Sequence, residues 1–315
     1  MDLEEINQQL EKLLLAEIRT MRPDAILFSG GIDTSLLAAL AFKGKSLPLV
    51  TVILSEGSGP DLQYSTMAAK RLLAKQHIRY FDVEEAKDAA RQVVRLLGRF
   101  DPDEIRNDLV IQLGLEFCKE LGYSRIMTGD GADELFAGYG FLLEKPLEKI
   151  DSWIRMNWCK WRFASNELAR NMDMEVVQPF LACPVIEYGI KIPTVYKALD
   201  EKGELVGKYV LRKLLANHIP GKLASRKKSA IEYGSGANAL SKLFSEAISD
   251  IDYWEIKEEF PLMSREQAFY YMLFDECGLT IPRAGADDTP CPLCGAPTEK
   301  CFCKICGTSI RRNQR

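Results

Sequence analysis

Along the first twenty residues, acids and amides alternate with Leu3, Ile6, Leu10, Leu13, Leu14 and Ile18, a three-and-four spacing that puts these apolar side chains on one helical face. An amphipathic opening helix is expected, ending before Pro23. The period then changes. Short apolar runs at Ala25–Phe28, Leu49–Leu54, Ile78–Val83 and Arg125–Thr128 read as buried strands, with helices at 34–43, 61–76, 84–97 and 103–121. Strands separated by helices of this length need crossover connections, so the expected fold class is α/β, a parallel sheet with flanking helices. In such a sheet the ligand sits at the carboxyl ends of the strands. After about residue 140 the strand signal fades and the second half reads helical, punctuated by Pro146, Pro179, Pro184, Pro193 and Pro220. The expected organisation is a helix at 1–20, an α/β domain at 21–279, a breaker-rich linker at 280–290 and a small module at 291–315.

Composition narrows the class. With 47% hydrophobic and 27% charged residues, the 315-residue chain is that of a folded globular protein. Its 41 Lys and Arg against 45 Asp and Glu give a net charge of −4, so any nucleic-acid partner must be met by a local patch. No apolar run approaches the ~20 residues of a membrane span, and Met1-Asp2-Leu3-Glu4-Glu5 is no secretion signal. A cytoplasmic location without a membrane partner is expected.

Two glycine-bearing loops carry the chemistry. Ser29-Gly30-Gly31-Ile32-Asp33-Thr34-Ser35 lies between a predicted strand and a predicted helix. Paired glycines let backbone N–H groups turn toward an anion, and the helix N-terminus adds partial positive charge, so Ser29, Gly30, Gly31, Asp33, Thr34 and Ser35 form a candidate phosphate loop. It lacks the Gly-Lys-Ser/Thr of a Walker A loop and the glycine spacing of a dinucleotide fingerprint. Ser29 lacks the Gly-x-Ser-x-Gly setting of a hydrolase nucleophile. The second loop, Thr128-Gly129-Asp130-Gly131-Ala132-Asp133-Glu134, follows another predicted strand and gathers three carboxylates. Mg²⁺ held against nucleotide phosphates would relieve their repulsion; a solvated helix cap is the plainer reading.

Together, Ser-Gly-Gly-Ile-Asp-Thr-Ser and Thr-Gly-Asp-Gly-Ala-Asp-Glu-Leu-Phe-Ala-Gly-Tyr resemble the synthetase domain of asparagine synthetases and β-lactam synthetases, PP-loop ATP pyrophosphatases with an adenine nucleotide alpha hydrolase-like fold. The resemblance covers roughly residues 20–235. It implies that the first loop and Gly129 grip ATP, that Asp33 and Asp133 hold Mg²⁺, and that Asp130 lies beside the reacting carboxyl and assists the amine. Lys208-Tyr209-Val210-Leu211-Arg212 and Ser225-Arg226-Lys227-Lys228 resemble two lysine-bearing segments of the family. Lys208 and Lys228 would neutralise charge as pyrophosphate departs; between 205 and 230 stand seven Lys or Arg and no acid. The implied reaction is ATP-dependent, AMP-forming amidation of a carboxylate through an acyl-adenylate.

The chain also departs from the family. Asp2 stands where glutamine-dependent relatives place a cysteine nucleophile, so the amine is expected to be ammonia, free or from a partner glutaminase, or an amine on another substrate. Arg106 resembles a substrate-binding arginine, but Asn107 and Asp108 replace the small residues that follow it, leaving the acid open between aspartate, another small carboxylate and one carried on tRNA. Glu175-Val176-Val177-Gln178-Pro179-Phe180-Leu181-Ala182 resembles a family segment without its Arg and Asp. PP-loop thiolation of tRNA and a non-catalytic nucleotide binder are the other readings. The acidic loop opposes the first, and joint retention of Asp33, Asp130, Asp133, Lys208 and Lys228 the second.

Cys291-Pro-Leu-Cys294-Gly and Cys303-Lys-Ile-Cys306-Gly form two Cys-x-x-Cys knuckles that resemble a short zinc ribbon, four thiolates suiting tetrahedral Zn²⁺. Iron–sulfur or redox use is the alternative, with Cys301 spare. Arg311, Arg312 and Arg315 are placed to contact phosphate. Cys118, Cys159, Cys183 and Cys277 read as core thiols, and Ile154, Trp158 and Trp161 as one core-facing helical stripe.

Overall fold

A computed structural model of the protein describes residues 2–42, 46–201, 204–298 and 302–310. In chain order the regular elements begin with α1 (Leu3–Met21), β1 (Ala25–Leu27), α2 (Ile32–Phe42), β2 (Leu49–Leu54), α3 (Asp61–Leu72), β3 (Gln76–Phe81), α4 (Val83–Leu97), α5 (Pro102–Glu120) and β4 (Arg125–Met127). They continue through α6 (Ala132–Leu135), α7 (Gly140–Leu143), α8 (Leu147–Asn157), α9 (Ala164–Asn171), β5 (Glu175–Val177), α10 (Cys183–Lys191), β6 (Ala198–Glu201), β7 (Glu204–Gly207) and α11 (Tyr209–His218). The last are α12 (Ile231–Ser235), α13 (Leu240–Ala247), α14 (Asp250–Glu259), α15 (Arg265–Glu276), β8 (Thr289–Pro290) and β9 (Pro297–Thr298).

The five-stranded sheet has the order β3-β2-β1-β4-β5, with β1 parallel to β2 and β4, and β4 parallel to β5. The chain runs outward from β1 in one direction, then returns to its other side with β4. The strand order therefore reverses between β1 and β4, which makes that point the ligand crevice of an open parallel sheet.

Two compact units divide the chain: Met1–Thr51, Pro60–Arg79 and Gly114–Ser229 form the first, and Val52–Gly59, Tyr80–Leu113 and Ala230–Arg315 the second. In the first, Leu36, Leu37 and Leu40 of α2 are fully buried in a core shared with Ile6, Leu10 and Leu14 of α1 and Leu211, Leu214 and Leu215 of α11. The apolar stripe of α1 thus faces inward, as its spacing predicts. An Asp2 capping box with Glu5 begins that helix. In the second unit Phe100 meets Phe260, Tyr271 and Phe274 edge-on at 5.2–5.6 Å, and Phe244 stacks on Phe269 at 4.6 Å.

Several expectations need correction. Strands do form after residue 140: β5 extends the sheet, although its apolar signal is only Val176 and Val177, and β6 pairs antiparallel with β7. The third helix ends at Leu72, not 76, because Leu73 turns left-handed (φ 49°) and its N–H bonds back to Ala69 and Lys70 carbonyls. Trp158 is exposed, whereas Ile154 is buried and Trp161 packs against the core. Of the four isolated cysteines only Cys118 is buried; Cys159 and Cys183 are exposed and Cys277 half-buried. Cys301, Arg311, Arg312 and Arg315 lie outside the described residues. No described helix is long and apolar enough to cross a membrane.

Candidate active site

Ser29, Gly30 and Gly31 connect β1 to α2, and Thr128–Gly131 connect β4 to α6. Because β1 and β4 are hydrogen-bonded neighbours, the two loops emerge side by side at the carboxyl edge. A Cβ added to Gly129 would lie 3.1 Å from the Asp33 Cβ and 3.3 Å from the Thr34 methyl carbon, so the loops touch.

Gly30 is left-handed (φ 69°), and a Cβ there would come within 2.4 Å of the backbone nitrogen of Ser65 on α3; no other residue fits. The Gly31 N–H donates to Ser29 Oγ at 3.2 Å, and Ser29 and Thr34 hydroxyls are 3.4 Å apart. Ser35 is buried, its hydroxyl without a hydrogen-bond partner. Arg226 holds this loop from behind. Its guanidinium donates to the Ser29 carbonyl at 2.8 Å and to Asp61, and lies 4.5 Å from the centre of the Tyr64 ring. Burial pushes the Asp61 carboxyl up to about 6 against the pull of Arg226.

Asp33 and Asp133, in the first turns of α2 and α6 just after the two loops, share a single ammonium. Lys208 Nζ donates to Asp33 Oδ2 and is ion-paired with Asp133 Oδ1 at 2.8 Å; Lys228 Nζ stands 3.9 Å from Asp133 Oδ2. Lys208 is buried and left-handed (φ 57°) at the start of α11, its N–H bonded to the Phe136 carbonyl at 2.9 Å. Burial raises the Asp33 carboxyl more than Lys208 lowers it. At Asp133 the two lysines outweigh burial and hold the carboxyl below its usual range. Room for this pair depends on Gly138, where a Cβ would fall 1.9 Å from Asp133 Oδ1 and 2.3 Å from Lys208 Cε.

Asp130 points its Oδ2 at three donors: Thr128 Oγ1 and Ser165 Oγ, each at 2.7 Å, and Gln178 Nε2 at 2.8 Å. Ser165 and Gln178 come from α9 and the end of β5, and sequence reading missed both as site residues. Gln178 lies in the family-like segment Glu175–Ala182; Ser165 gave no signal. Arg106, by contrast, belongs to the second unit, where its guanidinium is hydrogen-bonded to Asp103, Glu232 and Glu266.

Asp33 Oδ1 is buried without a hydrogen-bond partner, and with Asp133 it offers hard carboxylate oxygens, a set that suits Mg²⁺. Cys291, Cys294, Cys303 and Cys306 bring their sulfurs within 4.8 Å of one another, with Cys291–Cys306 at 3.6 Å and Cys294–Cys303 at 3.5 Å. Four thiolates at a Zn–S length of ~2.3 Å define a tetrahedron with edges of about 3.8 Å, so this cluster is compatible with zinc.

A parallel sheet with a glycine-rich anion loop and a carboxylate loop at its switch point defines a nucleotide-binding α/β protein. The asparagine synthase family model matches residues 5–177 and 160–270, and the chain belongs to that family. Relatives include asparagine synthetase [glutamine-hydrolyzing] of Zea mays, 24% identical over 320 residues, covering 93% of this chain and 54% of that protein. Asparagine synthetase B [glutamine-hydrolyzing] of Escherichia coli is 24% identical over 324 residues, covering 95% and 57%. The chain thus spans little more than half the length of these relatives. Among solved structures, an NH3-dependent NAD synthetase from Campylobacter jejuni overlays 50% of this chain and 74% of its own at 14% identity and TM-score 0.32, too loosely to bear on function.

Proposed function

We propose that this chain is a carbon–nitrogen ligase that adenylates a carboxylate with ATP and passes the acyl group to ammonia. The observation that carries this reading is the sharing of the Lys208 ammonium by Asp33 and Asp133 at the sheet's switch point. A substrate carboxylate oxygen attacks the α-phosphorus, and the bond to the β-phosphate's bridging oxygen breaks. Ammonia then forms the C–N bond while the acyl–O bond to AMP breaks, and the amine loses a proton. The backbone of Ser29–Gly31 would orient the phosphates, and Lys208 and Lys228 would take up negative charge as pyrophosphate leaves. Asp130, held by three donors, is the proposed acceptor for the amine proton. Asp33 and Asp133 would hold Mg²⁺, which supplies charge neutralisation at the phosphates when bound.

The test is product analysis with the full chain, ATP, Mg²⁺ and ammonium, first with aspartate, then with other small acids and bulk tRNA. AMP and pyrophosphate formed in step with an acid are expected. ADP and phosphate would overturn the reading. Glutamine in place of ammonium, with and without a separate glutaminase, identifies the amine source.

A further inference from the structure

The four-cysteine cluster is built into the second unit. Cys291 is almost fully buried, and Cys303 and Cys306 completely so. The Cys306 carbonyl accepts from Gln267 Nε2 at 2.7 Å; Gln267 lies on α15, itself fully buried. Between the last two thiols, the Ile305 carbonyl accepts the N–H of Phe100 at 2.8 Å, the ring at the centre of the unit's aromatic cluster. The next residue, Asp101, caps α5: its Oδ1 accepts the Asp103 N–H at 3.1 Å. Its carboxylate is packed beneath Gly307, where a Cβ would come within 2.5 Å of it.

One turn further along α5 stands Arg106, bonded to Glu232 and Glu266, with Glu266 also accepting from Ser241 at 2.7 Å. Gln267, the anchor of the knuckle, follows Glu266 directly. The knuckle therefore grips both ends of one buried network, α5 at Phe100 and Asp101, and α15 at Gln267.

We infer that a metal ion held by Cys291, Cys294, Cys303 and Cys306 is an internal brace of the second unit, fixing the start of α5 and the Arg106 carboxylate cluster, and not merely the fold of a free appendage. The loop is closed by two backbone bonds of 3.0 Å, Gly307 N–H to the Cys303 carbonyl and Cys303 N–H to the Thr308 carbonyl, and a metal would tie its two thiolates to Cys291 and Cys294. The segment is too small to bury a core of its own, so metal binding and local order rise and fall together. This role is independent of the reaction proposed above.

The full chain should contain about one zinc by elemental analysis. Removing it with a chelator from the folded protein, or through Cys306→Ser, should speed amide exchange at 100–109 and 265–276 at least about tenfold. Exchange at 25–42 in the first unit should stay unchanged. Gln267→Ala should keep its zinc yet speed exchange in the same two segments. Absence of bound metal would overturn the inference. So would metal loss that loosens residues 289–310 alone, or a Gln267→Ala protein with unaltered exchange.

Discussion

The Lys208 ammonium lies 2.8 Å from Asp133 Oδ1 in a space that only a glycine at 138 leaves open. The same nitrogen serves Asp33, so one buried cation satisfies a carboxylate from each loop. Replacing Lys208 by Met leaves Asp133 with Lys228 at 3.9 Å. Stranding a buried charge costs about 3–5 kcal/mol. Lys208→Met should lose stability of that order in urea unfolding at pH 8, and pyrophosphate release should fall at least ~100-fold.

Gly138→Ala tests the packing of that site without removing a charge. Its methyl would overlap Asp133 Oδ1 and Lys208 Cε, so one of them must move. Overpacking costs about 1–3 kcal/mol, and turnover should fall much further than stability implies. Wild-type turnover in a folded Gly138→Ala protein would remove the Lys208–Asp133 pair from the reaction.

Asp33→Asn keeps the size of the side chain but removes the charge proposed to hold Mg²⁺. AMP formation should be abolished while thermal unfolding stays cooperative. The Mg²⁺ concentration needed for any residual activity should rise. Unchanged turnover would remove Asp33 from the proposed site.

Arg226→Lys preserves one positive charge but cannot bond both the Ser29 carbonyl and Asp61 while lying over Tyr64. A looser phosphate loop should raise the KM for ATP roughly tenfold, about 1.4 kcal/mol, with a smaller change in kcat. Steady-state kinetics with ATP as the varied substrate checks this.

Lys197 offers a pH test away from the site. It is completely buried, its Nζ has no hydrogen-bond partner, and burial pulls the amine down to about 8 from 10.5, with Asp151 opposing and Arg155 assisting. The folded state therefore binds fewer protons than the unfolded chain between pH 8 and 10.5, and stability rises with pH through that window. Lys197→Met should be more stable than the native chain at pH 7 by about 3 kcal/mol. That advantage should vanish near pH 10.5, as urea unfolding at the two pH values would show.

Much of this was legible in the residues because it is local. The capped face of α1, the apolar run of β1 and the glycine pair at 30–31 each depend on neighbours a few positions away. So does the grouping of four thiols near the C-terminus. Asp33 and Asp133 could be named from their loops. Arg226 was read only as part of a lysine segment, yet it braces Ser29 through packing no local pattern records. Strand β5 was missed because two valines beside exposed Glu175 do not stand out from loop, and Gln178 and Ser165 were missed as site residues.

By itself, then, the sequence determined most of the elements, the residues of each loop and the grouping of four cysteines, since backbone stereochemistry and side-chain type act over a few residues. Strand order alone decided that β1 and β4 adjoin and bring Asp33 and Asp133 to one lysine. The tertiary structure likewise drew Arg106 into a buried carboxylate network and set the cysteine knuckle on α5 and α15. Such pairings depend on the summed packing of distant segments, and no short stretch of chain contains that sum.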